Sequence, residues 1–205
     1  VDEALLGQLG RLAHRLTSDF PNLQVSFTDL LQLPGVTRGE ATDAPALQAE
    51  ALAEAAVAPG FSVRVLRMGR CFPEPPERMA MFRLHRGLDA RDVASAHATL
   101  LLDAGEGFAR YVACAPTPFR REDCLDLAAR PRSVLARRAP KLLAEFEHRG
   151  WPLPLSIDRV YDSARLRSEL GWQPRFGPDD VLQQYAAGSI EVLPRAQWIK
   201  DRVAE

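Results

Sequence analysis

The chain has 205 residues, 46% of them hydrophobic and 26% charged, with a formal net charge of -1. That length fits one globular domain, or one and a half small ones, with a core that needs neither metal nor disulfide. Lys and Arg (26) balance Asp and Glu (27), which excludes the strong positive field that nucleic acid or an anionic membrane surface requires. Val1 to about Thr17 reads as an amphipathic helix on Leu5, Leu6, Leu9, Leu12 and Leu16. The chain starts inside that pattern, as expected of a piece of a longer protein. Pro21-Asn22 breaks the helix, and Leu23 to Phe27 reads as a short buried strand. A Gly- and Pro-containing loop runs from Leu33 to Asp43. The Ala-rich run Ala44 to Ala58 is a helix by propensity, ended by Pro59-Gly60, and Phe61 to Arg67 is a β-branched strand. This alternation is the rhythm of a parallel α/β sheet.

Pro73, Pro75 and Pro76 make the stretch from Cys71 to Arg78 neither helix nor central strand, and a boundary between two regions is placed there. Met79 to Leu84 is expected to be an edge strand. Asp89 caps the next helix, with Asp92 in the capping-box position and Val93, Ala96, Leu100 and Leu101 along one face. Phe108 to Cys114 reads as a strand, and Thr117-Pro118 as the opening of a short helix. Arg132 to His148 is helical, interrupted at Pro140 and ended by Gly150. Asp162 caps a last marked helix, Ser163 to Leu170, which Gly171 closes.

Cys71, Cys114 and Cys124 are odd in number and form no Cys-x-x-Cys pair, which argues for a reducing compartment and against a zinc knuckle. His14, His85, His97 and His148 are scattered, with no metal partner at helical spacing, so no metal site is expected. No apolar run reaches the length of a membrane span and the start has no leader pattern. A cytoplasmic protein is expected.

Three segments occur in a telling order. Val63 to Pro75 is similar to "VxVLRxxNVYGP", His85 to Ala96 to "RxxIHVxDVAxA", and Tyr161 to Pro174 to "xDxSKAxxELGWxP". In this order and spacing the chain resembles the C-terminal portion of an extended short-chain dehydrogenase/reductase, of the NAD-dependent epimerase/dehydratase family. The resemblance implies an α/β fold. Residues 1–70 would be the C-terminal half of a Rossmann-like parallel sheet and 71–205 a smaller α/β substrate-type region. It also implies a nucleotide sugar or related small molecule as partner.

In that family NAD or NADP takes the hydride, a tyrosine takes the hydroxyl proton, a lysine four residues on lowers the tyrosine pKa, and a Ser/Thr orients the substrate. The cofactor rests on a Gly-rich turn that no part of this sequence contains, so binding of NAD or NADP by this chain alone is not expected. Counting back from the strand at 61–67, the tyrosine and lysine positions fall at Ala46 and Glu50, with Glu54 at the usual downstream acidic position. Thr28 aligns with the Ser/Thr. Arg86, Arg149 and Arg159 are candidates for holding a nucleotide diphosphate, since a planar guanidinium suits phosphate oxygens. Asp92 and Trp172 read as tethering and packing groups.

Two readings follow. One is the substrate-side part of an epimerase or dehydratase, truncated and inactive alone. The other is a non-catalytic homologue that binds a nucleotide or sugar, or serves protein interaction. A lone half-sheet also leaves an apolar strand edge uncovered, so self-association, or pairing with a missing N-terminal half, is expected.

Overall fold

A computed structural model describes residues 25–29 and 44–193; the helix expected at 1–17 and the loop at 33–43 lie outside them. The described strands are β1 (Val25–Asp29), β2 (Val63–Met68) and β3 (Phe108–Ala113). They form one parallel sheet in the order β1-β2-β3, with Val25 opposite Val63 and Val63 opposite Phe108. Helices cover the connections: α1 (Ala44–Ala55) between β1 and β2, then α2 (Pro76–His85) and α3 (Ala90–Leu101) between β2 and β3. The chain is therefore α/β. The central position of β2 explains its sequence, because a parallel strand covered on both faces needs a continuous apolar run. Val63, Val65 and Leu66 are all buried.

The described residues group into two compact units. The first holds 25–29, 44–68, 94–113 and 163–172; the second holds 69–93, 114–162 and 173–193. Helix α3 begins in the second and ends in the first. In the first unit, Phe61, Val63 and Val65 pack with Ala53, Val57 and Phe108. The most buried charged residue of β2, Arg64 at 4% exposure, is fully partnered. Its guanidinium binds the Asp103 carboxylate, the Gly105 carbonyl, and the carbonyl of Gly107 at 2.9 Å, which closes the turn before β3.

The second unit packs α2 against α4 (Cys124–Ala129), α5 (Pro131–Arg138), α6 (Pro140–His148) and α8 (Pro178–Ala186) around Met79, Leu84, Leu127, Leu135, Phe146 and Val181. α5 and α6 are the helix expected at 132–148, divided at Ala139, and each starts on a proline. The remaining helix, α7 (Ala164–Leu170), belongs to the first unit.

Several expectations are corrected. Residues 79–84 are not an edge strand but the body of α2. Its prolines do not break it, because Pro76 takes the first helical position, where no N–H is needed. Leu101 is half-exposed rather than part of the buried face of α3, which is Ala96 and Leu100. Thr117 opens no helix. Its hydroxyl accepts the Phe119 N–H at 3.2 Å, and α4 starts only after a 3-10 turn at Arg121–Asp123. The residue before α7 is Ser163, not Asp162. The expected stop holds: Gly171 is left-handed with φ 70°.

Candidate functional site

Ala46 and Glu50 both lie on α1. Glu50 is buried, at 5% exposure. Its two oxygens accept from Arg67 Nε and Nη2 of β2 at 2.6 and 2.7 Å, and Arg110 Nε of β3 lies 2.6 Å from Oε2, close but poorly aligned. Glu54, by contrast, is mostly exposed and lies 3.8 Å from Arg110. A carboxylate clamped between two guanidinium groups ties the helix to two strands. It offers nothing to a tyrosine. Thr28 sits within β1, opposite Leu66, rather than in a loop after the strand.

Of the three candidate arginines, the structure brings two together. Arg86 follows the last residue of α2 and stacks on Phe82, its guanidinium carbon 4.4 Å from the ring centroid. Burial pushes its pKa down, and the charges of Asp158, Arg159, Tyr161 and Arg70 all act on it. Its Nε is buried with no hydrogen-bond partner. Arg159 belongs to the same group. Its Nε donates to Asp158 at 2.7 Å, and its backbone carbonyl meets Nδ1 of buried His85 at 3.0 Å. Arg149 is not among them: it pairs with Glu145 at 3.0 Å and lies over Trp151.

The sequence reading missed the other half of the cluster. Arg70 and Arg78 also lie near the Phe82 ring, at 5.5 and 5.4 Å, and both pair with buried Glu74. The i, i+4 spacing of Arg78, Phe82 and Arg86 along α2 was the available signal. It was hidden by reading that segment as a strand.

Asp89 and Asp92 frame the start of α3. Asp89 accepts the Arg91 N–H at 2.9 Å as a helix cap and also binds Arg83 Nη2 at 2.9 Å. Burial opposes its charge, but the Arg91 and Arg83 contacts win and hold it well below the usual carboxylate range. Asp92 accepts the N–H groups of Arg175 and Phe176 at 3.0 Å, so it tethers the segment that follows the Gly-Trp-x-Pro motif. Trp172 is buried at 4% exposure and donates to Ser95 Oγ at 2.9 Å. Both are structural, as the sequence suggests.

A nicotinamide cofactor would need bare backbone between a strand and a helix. At the described strand-to-helix passage after β2, a side chain at Gly69 would already meet the carbonyls of Arg86 and Gly87 at 2.8 and 2.9 Å, so the space is filled by backbone. The helix beyond starts on Pro76, which has no N–H to offer. The described residues do not fit a pyrophosphate there, and they hold no group of three metal-ligating side chains. Among them no helix is long and apolar enough to cross a membrane.

The sequence matches no protein-family profile and no curated protein. Among solved structures, the chain is similar to RMD from Pseudomonas aeruginosa, determined with NADPH, at 17% identity and a TM-score of 0.41. The similarity covers 77% of this chain and 64% of that one, so this chain spans less than two thirds of that protein.

Proposed function

We propose that this chain is the substrate-side portion of an epimerase/dehydratase-type protein, and that it binds a nucleotide sugar or related phosphorylated molecule without transferring hydride. The observation that carries the binding reading is Arg86. Its Nε is buried without an acceptor, in a group where Arg70 and Arg78 pair with Glu74 and Arg159 with Asp158. An unsatisfied buried donor costs about 1–3 kcal/mol. A phosphate oxygen would remove that cost, and the guanidinium fork matches its geometry.

The loss of chemistry rests on α1. The ion-paired Glu50 behaves as a structural acid, which fits the family's downstream acidic position better than Glu54 does. Moving the register back one turn then puts the lysine position at Ala46 and the tyrosine position at Thr42. Neither register supplies a phenol or an amine. NAD or NADP, if bound by the whole protein, would be held by residues other than those described.

Calorimetric titration of the chain with UDP- and GDP-linked sugars tests the first half, with Arg86→Ala as the comparison. Measurable binding that the substitution abolishes is expected, and equal affinity in both proteins would sink the binding reading. Incubation with the same sugars and NAD or NADP tests the second half. Formation of reduced nicotinamide by the purified chain would overturn it.

A further inference from the structure

The arginine cluster already contains an anion of its own. Glu74 sits in the loop before α2 and is 3% exposed. Its Oε1 takes Nε and Nη2 of Arg70, and its Oε2 faces Arg78 Nε at 3.3 Å. Those two guanidinium groups and that of Arg86 surround the same Phe82 ring. A carboxylate kept only to satisfy two arginines would be expected to use both oxygens in hydrogen bonds. Here Oε2 is buried and makes none, while Arg86 Nε is buried and makes none either. The cluster is therefore held in an arrangement that leaves a donor and an acceptor both unmet, each at a cost.

The backbone around Glu74 is pinned. Its carbonyl accepts the Leu193 N–H at 2.9 Å, and the residue bridges to Val192. The side chain, in contrast, is held by its contacts with Arg70 and Arg78.

We propose that Glu74 is an internal stand-in for the ligand: its carboxylate occupies part of the phosphate site and must be displaced from Arg70 and Arg78 when a phosphorylated ligand binds. This rests on the binding reading above and adds its regulation. A carboxylate has one charge and two oxygens, whereas a diphosphate brings more of both. It can engage Arg70, Arg78 and Arg86 together, which Glu74 does not do. Glu74 thus sets a threshold that weakly charged anions do not cross.

The test uses the full chain with inorganic pyrophosphate as probe. Glu74→Gln keeps the shape and removes the charge. It is expected to bind pyrophosphate roughly ten- to a hundredfold more tightly than the wild type, the size of one charge-assisted contact no longer competed for. Arg86→Ala is expected to lose binding in either background. A second measurement needs no substitution. In the wild type, pyrophosphate should shift the Nε–Hε NMR signals of Arg70 and Arg78 as well as that of Arg86. If Glu74→Gln binds no more tightly, or if only Arg86 responds, the stand-in is refuted while the site survives. If neither protein binds pyrophosphate, the site itself fails, and the stand-in with it.

Discussion

His85 closes α2 with its ring buried at 5% exposure, and it makes its 3.0 Å contact to the Arg159 carbonyl by donating Nδ1–H. Burial, reinforced by the charge of Arg86, lowers its pKa to about 4 from an ordinary 6.5. The unfolded chain therefore binds a proton at this residue between pH 6.5 and about 4 that the folded chain refuses, so stability falls as the pH drops through that window. The shift corresponds to about 3 kcal/mol. Urea unfolding at stepped pH should show this loss in the wild type and a flatter profile in His85→Asn, and identical profiles would rule His85 out as its source. At Gly87, an added Cβ would lie 2.7 Å from the Arg83 nitrogen and the Phe82 carbonyl carbon, both backbone. Neither neighbour can rotate away. Gly87→Ala should cost about 1–3 kcal/mol or more, read as a lowered midpoint of thermal unfolding.

At the level of elements, α1 is joined to the sheet by charge as much as by apolar contact, since its outward Leu47 and Leu52 are half-exposed and Glu50 carries the inward side. Glu50→Ala would leave Arg67 and Arg110 facing each other without their shared anion. Both guanidinium groups are partly solvated, so the cost is set at about 2 kcal/mol, below that of a fully buried pair. Glu50→Lys, which would set a third cation against Arg67 and Arg110, should destabilise more. A denaturation series on the two variants checks the order, and a more stable lysine variant would contradict this account. The sequence made α1, β2, β3 and α7 readable because their signals are local: an alanine run, β-branched alternation, a glycine stop. α2 was misread because Met79 and Met81 alternate like a strand and the prolines before them look like breakers, although the first helical turn accepts proline. α8 carried a signal that went unused, a proline at its start and two aspartates in its first turn. The arginine cluster was half legible. Arg86 and Arg159 came from the resemblance and Arg78 and Phe82 carried an i, i+4 spacing with Arg86, whereas Arg70 and Glu74 join them only through the fold.

On the scale of the whole molecule, the division into units does not follow the chain. Residues 94–113 and 163–172 belong with the sheet, while the segments around them build the helical unit. A fragment of 71–205 therefore keeps the whole apolar core from Met79 to Val192 but loses β2, the strand that pairs with all six residues of β3. Arg64 goes with it, and with Arg64 the anchor of the turn at 103–107. A parallel strand cannot satisfy its own N–H and C=O groups, so β3 has no reason to stay extended in that fragment. Helices α2, α5, α6 and α8 keep their mutual packing. Hydrogen exchange on the fragment should show protected amides in those four helices and fast exchange throughout 108–113, whereas the full chain protects both. Slow exchange in β3 of the fragment would mean that the strand is held by something other than β2. Loss of protection everywhere would mean that the helical unit depends on the sheet for its stability.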